Sequence, residues 1–285
     1  MNETVRRSRP MHEGWSVFRS GGGSTPSDAA PPIGAPLAAT IPGVVHQDLI
    51  EAGLIPHPDL MDGEARQAWV GRCDWTWSRS TGRGDLPAGV GDDSVVELVF
   101  DSIDTVGEVW LGSRRLGPVE NQFQRHRFRI DGAGIQHGEA IEVRLRSPLV
   151  ELERLVGLHG DRPVNADGEW GVYSYLRKAS CSFGWDWGPK CPSLGMPGGV
   201  RIECWRDARL EAVRPGVRIL DDGSAVVEVR LDLASDVDEC AERRSSSCRR
   251  SFGRHRVAIA TSCGGDGDLV AHRAQPIVHE RRRRA

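Results

Sequence analysis

Between Tyr175 and Pro189 the chain reads YLRKASCSFGWDWGP, and one carboxylate, Asp186, stands between Trp185 and Trp187, with Gly184 and Gly188 outside them. A carboxylate accepts two hydroxyl protons at once, and an indole offers a broad apolar face with a single N–H donor. That combination suits a sugar, whose pyranose ring has an apolar face and a rim of hydroxyls, so Asp186, Trp185 and Trp187 are candidate substrate-binding residues. In an extended segment, alternation would put both indoles on one side and Asp186 on the other. The flanking glycines permit an unusual backbone path. A structural reading competes: Trp185 and Trp187 plug a β-sandwich while Asp186 caps N–H groups in a turn. Spacing alone does not separate the two.

Other chemistries find little support. There is no GxSxG, no P-loop and no HExxH. The seven cysteines form no CxxC pair, so reduced and mostly buried thiols are expected, with no disulfide framework, no metal site and no cofactor. His46, His57 and His126 are scattered, and polar or capping roles are expected for each. With 37 Lys plus Arg against 40 Asp plus Glu, the net charge of −3 gives no electrostatic case for a nucleic-acid partner. No run approaches the ~20 apolar residues of a membrane span. The opening MNETVRRSRPMHEGW has positive charge but no apolar stretch behind it, so a secretory signal is not expected and a cytoplasmic address is the default. Only Lys178 and Lys190 are lysines, a skew that reflects GC-rich coding. The nine tryptophans are the more telling oddity: such a chain either packs a β-sandwich or presents platforms to flat ligands.

Positioning these residues falls to the rest of the chain. The run SGGGSTPSDAAPPIGAPLAAT (20–40) reads as a loop that would hold neither helix nor strand. Pro42 and Gly43 precede VHQDLIEAG, which predicts a helix of about two turns stopped at Gly53. The prolines of LIPHPD then force an extended path. From about residue 67 the pattern turns to period two, with short strands over 94–100, 106–112 and 126–130. The clearest is IEVRLR (141–146), with Ile141, Val143 and Leu145 on one side and Glu142, Arg144 and Arg146 on the other. LVELERLV (149–156) predicts a helical turn or two, GLHGDRPVNADGEW (157–170) a loop, and GGVRIECW (198–205) a further strand. A hairpin then opens a second β segment, LEAVRPGVRIL and SAVVEVRLDLAS around Asp221-Asp222-Gly223. Short strands joined by Gly, Asp and Pro turns make the chain all-β, an antiparallel sandwich or barrel, and no strand–helix–strand rhythm supports a doubly wound sheet. Residues 241–285 are Arg-rich and aperiodic, and are expected to be disordered. The composition break reads as a truncated or frame-shifted reading frame, leaving the hairpin's Val226, Val227, Val229, Leu231 and Leu233 exposed beside an unpaired edge.

Several ordered motifs resemble the β-mannosidases of glycoside hydrolase family 2. IPGVVHQDLIEAGLIPHP (41–58) resembles that family's VPG-x-VH-x-DL segment, and WVGRCDWTW (69–77) its DW-x-Y segment with Trp77 in place of Tyr. DSIDTVGEVWLG (101–112) resembles the G-x-DT-x-A-x-V-x-x-N-G stretch, without the Asn before Gly112. Asn121 and Phe123 resemble an NMF element with Gln122 in place of Met, and Arg177-Lys178 with Cys181–Pro189 resembles RK-x-x-x-x-FGWDWGP. The likeness spans roughly residues 35–237.

The resemblance implies a jelly-roll, galactose-binding-like β-sandwich over 1–208, an incomplete immunoglobulin-like β segment over 209–240, and the tail over 241–285. Family members cleave terminal, non-reducing β-D-mannose with retention, using two carboxylates about 5 Å apart. The resemblance places both, as glutamates, on a (β/α)₈ barrel, and gives the WDW loop a place in the barrel's pocket: Asp186 on substrate hydroxyls, Trp185 and Trp187 shaping the wall. A barrel needs about 250 residues, far more than follow residue 208, and no Glu there has a family-like Asn-Glu context. No catalytic residue and no β-mannosidase activity are therefore expected in this chain. The implied partners are a β-mannoside or oligosaccharide and a catalytic barrel on a separate chain. A stand-alone carbohydrate-binding module and a defective gene product are the alternatives.

Overall fold

The computed structural model describes residues 6–22, 30–32, 34–89, 91, 94–163, 173–206, 208–219, 221, 225–235, 254–263, 269–271 and 275–276. The chain forms two compact units, one of Arg7–Gly91 with Val96–Cys204, the other of Met1–Arg6, Asp92–Val95 and Trp205–Ala285.

The larger unit is a β-sandwich. One sheet has four strands in the order Arg7–Pro10, Val200–Trp205, Val95–Phe100, His126–Ile130. The other has six, in the order Leu37–Ala38, Ser16–Gly22, Cys73–Ser80, Ala140–Leu145, Gly107–Leu111, Arg114–Val119, every pair antiparallel. A single core takes Leu98, Phe100, Val200 and Ile202 from the first sheet and Val17, Trp75, Trp77, Val109 and Val143 from the second. Period two decides who goes in. Ile141, Val143 and Leu145 are buried while Arg144 and Arg146 face water, as their alternation predicts. Trp75 and Trp77 fill the middle of the sandwich at 0% exposure, and the Trp75 indole donates to the Val70 carbonyl at 3.1 Å. Trp15 and Trp69 are buried in the same core, so the tryptophans that plug this sandwich are Trp15, Trp69, Trp75 and Trp77.

The four-stranded sheet carries a ladder of charge. Arg127 Nη1 reaches Glu97 at 3.0 Å and Glu203 at 2.7 Å, Arg201 bonds Glu203 at 2.6 Å and Asp101 at 2.5 Å, and Arg125 bonds Asp101 at 2.7 Å. Glu203 is fully buried, and its partners make that tolerable.

The expected helix runs Val45–Glu51 and stops as its sequence predicts. Gly53 takes φ +69°, and Leu54 N–H returns to Leu49 O while Gly53 N–H returns to Ile50 O, both at 2.9 Å. That is the paired closure of a left-handed helix stop. The second helix is longer than its pattern suggests, Pro148–His159; Ser147 caps its start, the hydroxyl accepting from Val150 N–H at 3.0 Å and donating to Gly71 O at 2.8 Å, and it runs on to Gly160, whose N–H returns to Val156 O at 2.8 Å.

Two expectations are corrected. Strands enter the 20–40 loop at both ends, Ser16–Gly22 and Leu37–Ala38; Val17 lies in the core and recruits Leu37 as its cross-strand partner, which outweighs weak local propensity. In the smaller unit Ala208–Ile219 pairs with Ala225–Ser235, from Ala208 opposite Ser235 to Ile219 opposite Ala225. The tail expected to be disordered then supplies Arg254–Cys263, which pairs along the far side of Ala225–Ser235, with Leu269–Ala271 and Gln275–Pro276 beside it. Counting arginines over the whole tail hides the local β-rich run VAIAT (257–261). The outer side of Ala225–Ser235 is thus paired, while among the described residues Ala208–Ile219 stays at the edge of the sheet. Asp222 and Gly223 of the expected turn, and the side chains of Val226, Val227, Leu231 and Leu233, lie outside the described residues, while Val229 is half-buried.

Candidate carbohydrate-binding hairpin

The FGWDWGP stretch is a hairpin and not a continuous extended segment. Phe183–Trp185 pairs antiparallel with Gly188–Lys190, Phe183 opposite Lys190 and Trp185 opposite Gly188, so Asp186 and Trp187 are the two central residues of the turn. The expected alternation across the three residues is corrected accordingly, because a two-residue turn reverses the chain between the indoles. Trp185 is 46% exposed, Trp187 72%, and Asp186 is exposed with them. None of the three lies in the sandwich core.

The base of the hairpin is tied down by packing and by charge. Phe183 is buried and stacks on Tyr173, ring centres 5.0 Å apart and planes 12° apart, in a small core with Val106, Leu149, Leu152 and Leu176. Burying one such ring contributes roughly 1.5–3 kcal/mol. Gly184 takes φ +102°, a conformation other residues adopt at a cost, and a Cβ there would stand 2.5 Å from Lys190 Cγ. Lys190 N–H donates to Glu64 at 3.1 Å.

Beneath the hairpin lies a buried polar knot. The Lys178 ammonium, with no exposed side-chain surface, bonds Asp104 and donates to Ser193 O at 2.8 Å. The Ser193 hydroxyl donates to the same Asp104 oxygen at 3.2 Å. Burial pushes the Lys178 pKa down, and the Asp104 carboxylate offsets part of that effect. Asp104 exchanges backbone hydrogen bonds with Gly195, at 2.8 and 3.0 Å. Gln122 ties the neighbouring segment, its N–H to Arg177 O at 3.0 Å and its side-chain oxygen to Ala179 N–H at 2.8 Å. Val45 N–H reaches Leu194 O at 2.9 Å. The segments around 44–46, 104–107, 121–123, 177–179 and 193–195 therefore meet under the hairpin, although the sequence scatters them. His46 is buried there, its pKa lowered to about 3 first by burial and then by the Lys178 charge. Both of its ring nitrogens lack a hydrogen-bond partner among the described residues.

A cleft of about 550 Å³ is lined by Glu120, Asn121, His126 and Arg177 and by the helix residues Glu151 and Arg154, and Asp186, Trp185 and Trp187 are not among its lining residues. Burial lowers the His126 pKa, while Arg154 holds the Glu151 carboxyl below its ordinary value. Among the described residues no group of three His, Cys, Asp or Glu side chains stands ready for a metal ion, and no helix is long and apolar enough to cross a membrane.

Sequence comparison supplies the family. The model of the glycosyl hydrolase 2 galactose-binding domain-like family matches residues 15–198. The chain belongs to that family. Among curated relatives it is 30% identical over 208 residues to the β-mannosidase of Mus musculus, covering 70% of this chain and 23% of that one. It is 34% identical over 183 residues to the β-mannosidase of Bos taurus, 62% of this chain and 19% of the relative. Against β-mannosidase B of Emericella nidulans it is 31% identical over 230 residues, 80% of this chain and 25% of the relative. The chain thus spans a quarter or less of these relatives, in their N-terminal part. A crystal structure of a β-D-mannosidase from Dictyoglomus thermophilum superposes with a TM-score of 0.64 at 24% identity, covering 94% of this chain and 36% of that one. That likeness is one of fold, and it agrees with a galactose-binding-like sandwich.

Proposed function

We propose that the hairpin Phe183–Lys190 is a sugar-contacting tip, and that this chain supplies one wall of the pocket in which a β-mannosidase holds a terminal β-D-mannose residue. What carries the reading is the exposure of Asp186, Trp185 and Trp187 together on a hairpin whose base is fixed: an acceptor for two hydroxyls between two indole faces, all open to a ligand. Its chemistry is that of binding and orientation. Asp186 would accept hydroxyl protons, and the indoles would cover the apolar ring face and exclude water. Hydrolysis with retention needs an acid and a nucleophile about 5 Å apart, and these would come from a barrel on another segment or another chain.

The isolated chain should not hydrolyse p-nitrophenyl β-mannoside above a blank. Turnover abolished by Asp186→Ala would overturn the proposed division of labour. A carbohydrate-binding module working alone is the second reading, favoured by the open position of the tip. Calorimetric titration with mannobiose separates the two. Affinity no tighter than millimolar supports a pocket wall awaiting its partner, and tighter binding lost in Asp186→Ala supports the module.

A further inference from the structure

We infer that Lys178 is the positioning residue of the hairpin: a buried ammonium that staples together the two ends of the segment carrying Trp185, Asp186 and Trp187. The inference rests on the sugar-contacting reading for its purpose, but its geometry is independent. Lys178 precedes the hairpin and Ser193 follows it, 15 residues apart, and the ammonium donates directly across that gap to the Ser193 carbonyl at 2.8 Å. Its other partners are the Ser193 hydroxyl, at 3.5 Å, and the Asp104 carboxylate. All three protons are therefore used, and none faces water. Asp104 is the fixed post: its backbone is paired to Gly195 in both directions, and its carboxylate also accepts from Ser193.

The arrangement suits an ammonium in particular. A compact charge with three donors can face a carboxylate, a carbonyl and a hydroxyl at once, whereas a planar guanidinium holds its donors in one plane. Buried and fully partnered, it closes the segment by charge-assisted hydrogen bonds, which are about twice as strong as neutral ones. Phe183 fixes how deep the hairpin sits. Lys178 fixes where its two ends stand relative to one another, and hence where the tip points.

The test compares hairpin order with global stability in the whole chain. Hydrogen exchange of the 183–190 amides, and chymotryptic cleavage after Trp185 and Trp187, report the hairpin without any sugar. Lys178→Met should speed both by about 10- to 100-fold, the loss expected from a charged hydrogen bond, more than it speeds exchange in the core strand Cys73–Ser80. Lys178→Arg should not restore protection. Should Lys178→Met fail to fold because Asp104 is left buried and unpaired, Lys178→Met with Asp104→Asn removes both charges and should show the same selective opening. Ser193→Ala should give a smaller effect of the same kind. Equal acceleration in the hairpin and in Cys73–Ser80, or protection restored by arginine, overturns the inference. Mannobiose titration forms a separate arm. If the parent binds tighter than millimolar and Asp186→Ala leaves that binding unchanged, the proposed function fails while the exchange result still judges the staple, and wherever binding is measurable its affinity should fall in step with hairpin order.

Discussion

The buried His46 makes the pH dependence of stability a direct test of the packing under the hairpin. Burial and the Lys178 charge lower its pKa from 6.5 to about 3, and neither ring nitrogen has a partner among the described residues. The folded state therefore holds His46 neutral where the unfolded chain would bind a proton. Stability from this residue is full above pH 6.5 and is lost as pH falls toward the folded value. Each pH unit corresponds to about 1.4 kcal/mol, so the whole effect is about 4–5 kcal/mol. On the same helix Asp48 works in the opposite sense: burial raises its carboxyl to about 6, so the folded state binds an extra proton and loses stability as pH rises from about 4 to 6. The two nearly cancel in the parent between pH 4 and 6, and a flat curve there would conceal both. The perturbation that separates them is His46→Leu, which swaps an unsatisfied ring for an apolar side chain. Relative to the parent, the variant should gain about 1.4 kcal/mol for each pH unit from 6.5 downward, reaching roughly 3 kcal/mol near pH 4.5. At 2–4 °C per kcal/mol for a unit of this size, that is a Tm gap widening by about 6–12 °C. Thermal melts of both proteins from pH 7.5 to 4.5 measure it, and parallel curves would refute a neutral, buried His46. Asp48→Asn should tilt the parent's curve the other way, making it fall steadily below pH 6.

Three further outcomes follow from the geometry. Gly184→Ala places a side chain at φ +102° and 2.5 Å from Lys190 Cγ, so it should cost about 1–3 kcal/mol of hairpin stability, read as faster chymotryptic cleavage at Trp187 with the sandwich core unchanged. Arg201→Leu takes one guanidinium from the fully buried Glu203 and one from Asp101, and chemical denaturation should show a loss of about 2–3 kcal/mol. Asp101, whose carboxyl these arginines hold below its ordinary value, adds stability above about pH 4 that is lost on further acidification, and the variant should lose that part of the acid transition. Ala208–Ile219 is an edge strand whose Leu210, Val213, Val217 and Ile219 are all about half exposed or more, so Val217→Lys should reduce light scattering at equal concentration while shifting Tm little; unchanged scattering would acquit this edge.

What the sequence shows and what it hides divide along the range of the interactions involved. IEVRLR displays its inward face because burial alternates along one strand, and Gly53 displays a helix stop because the closing hydrogen bonds run back only a few residues. The tip Trp185-Asp186-Trp187 is legible for the same reason, although its side chains lie differently than simple alternation suggests: whether such a stretch stays extended or turns depends on Gly188 pairing back to Trp185, which residue types alone do not reveal. The tail misleads in the other direction, its arginines outweighing a short β-rich run that finds its partner in Ala225–Ser235. The staple is least visible. Lys178 and Asp104 are 74 residues apart, and nothing near either one announces the other. One faint signal exists: in a chain that otherwise uses arginine almost throughout, a lysine at 178 marks a place where three converging donors on a point charge serve and a planar fork does not. The proposed recognition surface is thus local and readable, while the segment that carries it is held by long-range polar contacts. On the proposed reading, substitutions far from the tip, at Asp104 and to a smaller degree at Ser193, should therefore weaken sugar contact although neither residue would touch the sugar.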